Sequence, residues 1–142
     1  MNQSNLTITN ITARAVLVPM RLRPETASGT IHDAPLVLID LETNQGIIGR
    51  SYLFAYTKAM LKPSVTCVEG LKEDIVGEKV EPYRLLTDLR KKLRIQNSSG
   101  ILGTALAGID MAAWDAHAKA LDLPLAKVLG GSTSPVKAYN SC

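Results

Sequence analysis

The sequence predicts an α+β fold in which a three-stranded antiparallel meander is followed by a helical bundle. Stretches rich in Ile, Val and Thr, separated by turn residues, occupy the first third of the chain. Stretches with apolar residues at spacings of three and four follow them. The 142 residues, 46% of them hydrophobic and 20% charged, have an ordinary globular composition and suffice for one domain with a core.

Three strands are expected before residue 53. Residues 6–20 are rich in β-branched side chains in rough alternation, which fits a half-buried strand, and Pro19 should end it. Residues 21–34 contain Pro24 and Gly29 and show little periodicity, so they are expected to form a long loop. The second strand is predicted at residues 35–42, and turn residues at 44–46 lead into the third at 47–52.

Three helices are expected in the remainder of the chain. Residues 58–76 carry a one-sided apolar stripe that Gly77 closes, and a shorter helix begins at Glu81-Pro82 and ends before Gly100. Residues 101–121 form the third helix, whose many alanines permit the close approach of another element. A short turn begins at Pro124, and residues 136–141 predict one further strand.

The sequence offers few candidates for catalytic or metal-binding side chains. Asp110 and His117 lie seven apart on the third helix and could share a face, where a structural hydrogen bond is favoured over metal binding, because one carboxylate and one imidazole fall short of a coordination set. Asp115 is also expected to be structural. Cys67 and Cys142 have no metal spacing and do not indicate a disulfide framework, which suits a reducing cytoplasm.

Charge and hydropathy exclude two partner classes. The formal charge is +3, and the one basic cluster, between Arg90 and Arg94, ends a helical pattern where the macrodipole favours cations, with no aromatic residue interleaved. We therefore expect no nucleic acid. No secretory leader and no long apolar run is present, so we expect no membrane partner and a cytoplasmic location.

Several blocks of the sequence resemble one family. Residues 107–119 (AGIDMAAWDAHAK), followed by Pro124-Leu125 and Leu129-Gly130-Gly131, resemble the helix and turn that lead into the barrel in the mandelate racemase and muconate lactonizing family of the enolase superfamily. Residues 35–41 (PLVLIDL) and 51–57 (SYLFAYT) resemble its mandelate racemase branch. The resemblance runs from about residue 6 to residue 142.

This resemblance implies a two-domain enzyme. Residues 1–131 would be the N-terminal capping domain, and residues 132–142 would begin a truncated (β/α) barrel with its first strand. In such enzymes a base removes the proton α to a carboxylate, and Mg²⁺ stabilises the enediolate. The bases and the metal ligands would lie beyond residue 142. We therefore expect no catalytic residue, no metal ligand and no activity in this chain alone.

The resemblance also assigns substrate-binding residues to the cap. The loop at residues 21–34 matches a mobile flap over the active site, with Ile31 at a position that contacts the substrate and Pro24 at a second one, where a valine is expected. Tyr56 matches a pocket tyrosine, and Ser141 matches a serine that hydrogen-bonds the substrate carboxylate. Tyr56 as a core aromatic and Ile31 as an ordinary loop anchor are the competing interpretations.

The substrate and the assembly stay open at this point. A 2-hydroxy carboxylate such as mandelate is expected. Because Arg21, Arg23 and Glu25 make the flap charged, a polar acid sugar is the alternative substrate. Racemisation and dehydration are both compatible with the resemblance. Family caps usually take part in oligomer contacts, so a homo-oligomer is expected. The alternative is a stand-alone, non-catalytic binding or oligomerisation module.

Overall fold

A computed structural model describes residues 5–27, 29–96 and 99–139. Its strands are β1 (Ile8–Pro19), β2 (Glu25–Thr26), β3 (Gly29–Thr30), β4 (Asp33–Thr43) and β5 (Ile48–Phe54). Strands β1, β4 and β5 form an antiparallel sheet with β4 in the centre, which confirms the predicted meander. Strands β2 and β3 form a separate two-stranded ribbon, so part of the expected loop is paired.

The helices are α1 (Leu61–Gly70), α2 (Lys72–Ile75), α3 (Pro82–Lys92), α4 (Gly100–Ala120) and α5 (Leu125–Val128). The single helix predicted at residues 58–76 is wrong, because a 3₁₀ turn at Lys58–Met60 precedes α1 and the chain breaks at Leu71. There the amide of Leu71 donates to the carbonyl of Val68, three residues back, directly after the poor helix former Gly70.

The strand expected at residues 136–141 is not formed in its described part. Residues 132–139 have no regular secondary structure, and Val136 and Tyr139 are almost fully exposed. A strand needs a neighbour for its backbone donors and acceptors, and no strand of the described chain pairs with this segment.

The core lies between the sheet and the helices. Alternate residues of β4, among them Val37, Ile39 and Leu41, are buried against the helical layer. Helix α4 lies against β5 and turns its alanine-rich face, including Ala112 and Ala116, towards the sheet. Small side chains on both elements allow this close approach, as the alanine content predicted.

Candidate functional site

Two connecting segments leave the sheet at the same end. The flap, residues 21–34, joins the end of β1 to the start of β4, and the tyrosine loop, residues 52–57, includes the end of β5. Pro19 pairs with Asp33, and Leu36 pairs with Phe54 on the other side of β4. Because neighbouring strands of a meander run in opposite directions, the end of β1, the start of β4 and the end of β5 meet at one edge.

The flap holds two of the predicted site residues together. The amide of Met20 donates to the carbonyl of His32 at 2.9 Å, which closes the base of the flap. Above it, the amide of Ile31 donates to the carbonyl of Pro24 at 3.0 Å. Pro24 and Ile31 therefore face each other across the hairpin, and both are half-buried. This placement fits a paired apolar contact surface.

The tyrosine loop presents Tyr56 to solvent. The amide of Ala55 donates to the carbonyl of Pro35 at 2.8 Å, which anchors the loop to β4. Tyr56 has φ +59°, a left-handed conformation that residues other than glycine rarely adopt. Its side chain is 83% exposed, and its ring lies edge-on to Phe54 with centroids 4.9 Å apart. The interpretation of Tyr56 as a core aromatic is therefore wrong.

An ion pair joins the flap to the tyrosine loop. Lys58 Nζ, one residue beyond the loop, lies 3.1 Å from Oδ2 of Asp33 at the end of the flap. Sequence reasoning missed this pair. The sequence does place an acidic residue, Asp33, and a basic residue, Lys58, at the bounds of two segments that the meander brings to one edge. They are 25 residues apart, however, and a pair at that separation produces no periodic pattern in the sequence.

The polar residues of α4 act within the fold. Asp115 accepts hydrogen bonds from the backbone amide of Arg50 at 2.7 Å and from Lys119 Nζ at 2.6 Å, which confirms its structural role. Asp110 and His117 form no hydrogen bond with each other in the described chain. Seven residues of helix separate them by about 10 Å along the axis, which is too far.

Two titratable groups of the helices are affected by burial. Burial raises the pKa of the Asp110 carboxyl, and the nearby Arg90 guanidinium opposes that rise. His117, which forms no hydrogen bond with Asp110, has its ring edge-on to that of Trp114, with centroids 6.0 Å apart. Burial also raises the pKa of the Cys67 thiol, which is free. Neither Asp110 nor Cys67 lies in the flap or in the tyrosine loop.

The described residues do not fit a magnesium site. Within residues 5–27, 29–96 and 99–139, no three side chains of His, Cys, Asp or Glu come together as a possible ligand set. Mg²⁺ takes an octahedron of oxygen ligands, so no step at a metal is assigned to these residues. Ser141, the fourth predicted substrate contact, lies outside the described residues.

Two partner classes were not expected from the sequence, nucleic acid and membranes, and two structural features bear on them. In the basic cluster, Lys92 pairs with Asp74 and Lys91 pairs with Asp88, so part of its charge is neutralised locally. Among the described helices, none combines the length and the apolar content needed to cross a bilayer.

Comparison with known proteins places this geometry in a family. Residues 8–130 match the N-terminal domain of the mandelate racemase / muconate lactonizing enzyme family. The arabinonate dehydratase of Saccharolobus solfataricus is 31% identical over 109 residues, which are 76% of this chain and 29% of that enzyme. The D-galactonate dehydratase of Xanthomonas campestris pv. campestris is 32% identical over 107 residues, which are 72% of this chain and 26% of that enzyme.

Solved structures give the same result. An enolase from Bradyrhizobium, in complex with magnesium and mandelic acid, superimposes with a TM-score of 0.90 at 43% identity over 94% of this chain and 37% of its own. An enolase from the alpha proteobacterium bal199, with bound magnesium, superimposes with a TM-score of 0.83 at 36% identity over 90% of this chain and 35% of its own. The chain thus spans between a quarter and two fifths of the length of these relatives.

Proposed function

Because the chain belongs to the mandelate racemase / muconate lactonizing enzyme family as its N-terminal domain, we propose that it caps and shapes the substrate pocket of a magnesium-dependent racemase or dehydratase of 2-hydroxy carboxylates. One observation carries the proposal. The flap and the tyrosine loop leave the sheet at the same edge and bring Pro24, Ile31 and Tyr56 to that edge. These are three of the four residues at which the sequence predicts substrate contact.

The side chains at this edge favour a substrate with an apolar portion. Pro24 and Ile31 offer a half-buried aliphatic surface, and Tyr56 adds an exposed ring with a hydroxyl group. In mandelate, the phenyl group would take such a surface. A Bradyrhizobium relative binds mandelic acid, whereas two curated relatives act on the sugar acids arabinonate and galactonate. We propose a mandelate-like acid as the substrate, with aldonates as the comparison set.

The role proposed for this chain is to bind, orient and exclude water. Closing a flap over a carboxylate substrate removes solvent and strengthens electrostatic interactions within the site. In the proposal, Mg²⁺ is held by another part of the enzyme and stabilises negative charge on the substrate carboxylate. The chain alone is proposed to be catalytically incomplete.

Isotope exchange tests the proposed chemistry. The cap joined to its barrel is incubated with Mg²⁺ and either enantiomer of mandelate in D₂O, and with a panel of aldonates in parallel. If mandelate is racemised, its α-proton is removed and a deuteron from the solvent takes its place, so mandelate gains deuterium. If an aldonate is dehydrated, a 2-keto acid is formed. Absence of both products with every acid would refute the proposal.

Paired tyrosine variants test the proposed pocket. Tyr56 and Tyr83 are both highly exposed, at 83% and 77%, and each ring lies edge-on to one aromatic neighbour at 4.9 Å. Tyr56→Ala and Tyr83→Ala therefore remove similar contacts in the fold. Only Tyr56→Ala should raise KM for the acid, by about tenfold if the ring contributes about 1.4 kcal/mol to binding. Equal effects of the two variants would contradict the assignment.

The proposed assembly is tested separately from the chemistry. We propose that the enzyme is a cytoplasmic homo-oligomer, and light scattering coupled to size exclusion measures its mass. The stand-alone binding module is the competing function. It predicts that the cap folds, takes up a ligand and gains nothing from a barrel, whereas our proposal requires turnover by the joined domains.

A further inference from the structure

We propose that Asp33 and Lys58 form a latch that sets the position of the flap relative to the tyrosine loop, and that both act as positioning residues for the substrate. Asp33 is the first residue of β4 and the end of the hairpin that carries Pro24 and Ile31. Lys58 begins the 3₁₀ turn two residues after Tyr56. The expected effect of the latch on KM rests on the proposed function, whereas its effect on the position of the flap does not.

The latch lies where the flap is attached to the fold. On one side of Asp33, the amide of Met20 donates to the carbonyl of His32, and on the other side, the amide of Ala55 donates to the carbonyl of Pro35. These two backbone bonds fix the strands, and neither of them joins the flap to the tyrosine loop. The ion pair at 3.1 Å connects the end of the flap, at Asp33, to Lys58, the residue that directly follows the tyrosine loop.

The flap beyond its base depends on this attachment. Its ribbon has only two residues in each strand, and Glu25, Thr26, Gly29 and Thr30 are all exposed. Two-stranded hairpins of this kind are marginally stable without packing against other elements. The base of the hairpin, near Asp33, is therefore where a contact can orient the ribbon. The side chain of Asp33 is 28% exposed, and that of its ion-pair partner Lys58 is 67% exposed.

The strength of the latch suits a reversible closure. Exposed ion pairs contribute little to stability and weaken as salt screens them. Breaking one should change a local opening equilibrium by about twofold to fivefold without unfolding the domain. A flap that must admit substrate and release product needs a constraint of this size, since a much stronger one would hold the flap shut.

A double-mutant cycle read by hydrogen exchange tests the latch. The variants are Asp33→Asn, Lys58→Gln and the two combined, with exchange measured at the Ile31 amide, which is hydrogen-bonded inside the flap. Each single variant should raise that exchange rate by about twofold to fivefold, and the double variant should add nothing further. Salt at 1 M should raise the rate of the unmodified protein alone.

Asp88→Asn is the matched control. It removes the exposed ion pairs of Asp88 with Arg84 at 3.5 Å and with Lys91 at 3.8 Å, which lie on α3 away from the flap, and should leave the exchange at Ile31 unchanged. If exchange at Ile31 stays at its original rate in both single variants, or if the two effects simply add, the latch does not exist.

Kinetics of the joined enzyme test the positioning role. Both single variants should raise KM by about twofold to fivefold with kcat unchanged, since the latch biases flap closure without touching the reacting atoms. A faster exchange at Ile31 with an unaltered KM would overturn the positioning role while leaving the proposed function intact. Inactivity of the unmodified enzyme would refute the proposed function instead, and the exchange cycle would still decide whether the latch exists.

Discussion

Replacing Gly49 by alanine should destabilise the domain strongly. Gly49 lies on β5 beneath α4, and a Cβ built on it would stand 2.0 Å from the carbonyl oxygen of Ala112 and 2.8 Å from the Cβ of Ala116. Ordinary van der Waals contact begins at 3.4 Å, so the first distance is short by about 1.4 Å. The obstructing atom belongs to the backbone of α4, and no change of rotamer can move it.

The magnitude follows from what must be displaced. Relief of this clash requires α4 to move away from β5, which loosens the packing of the longest helix on the sheet. Overpacking a core costs about 1–3 kcal/mol, and we expect Gly49→Ala to reach the upper end, about 3 kcal/mol. For a domain of this size that loss corresponds to a fall of about 10 °C in Tm.

Urea unfolding followed by the fluorescence of Trp114, the single tryptophan, measures the effect. Two other glycines grade it. An added Cβ at Gly108 meets the flexible end of Ile39 at 2.5 Å, so Gly108→Ala should cost less, whereas an added Cβ at Gly70 meets nothing within 4 Å. Gly70→Ala, at the end of α1, should be neutral or stabilising by up to about 1 kcal/mol. If Gly49→Ala unfolds at the same urea concentration as Gly70→Ala, the packing argument is refuted.

Three further predictions concern titratable groups. Asp115→Asn should lower the free energy of unfolding by about 1–2 kcal/mol, because the Arg50 amide and Lys119 lose a charged acceptor. Urea unfolding measures this loss, and an unchanged free energy of unfolding would contradict the prediction. Burial raises the pKa of Asp110 above its value in the unfolded chain, so the charged carboxylate destabilises the fold above the raised pKa and has no effect below the unfolded pKa. Asp110→Asn should therefore stabilise the domain at neutral pH, and this gain should vanish at low pH. A gain that does not change with pH would contradict the argument. Cys67 should react slowly with iodoacetamide at pH 8, since its raised pKa leaves little thiolate, and reaction as fast as that of a free model thiol would disprove the assigned burial effect.

The candidate site was predicted unevenly from the sequence. Pro24, Ile31 and Tyr56 were found through blocks of resemblance, and their contacts with substrate stay predictions. Their gathering at one edge follows from the antiparallel pairing of three strands, which local alternation already indicated. The Asp33–Lys58 pair was not found, because an ion pair between residues 25 positions apart leaves no periodic signal.

The sequence by itself determined the order of strands and helices and the core-facing side of the longest helix. The apolar face of α4 follows from the period of 3.6 residues, so burial of Ile109 and Ala116 could be inferred before their partners were known. Only the tertiary structure decided the break at Leu71, the pairing within the flap and the exposure of Tyr56. A local pattern states which side of an element is apolar, but a turn, a ribbon and a loop take their conformations from hydrogen bonds and contacts with segments distant in the chain.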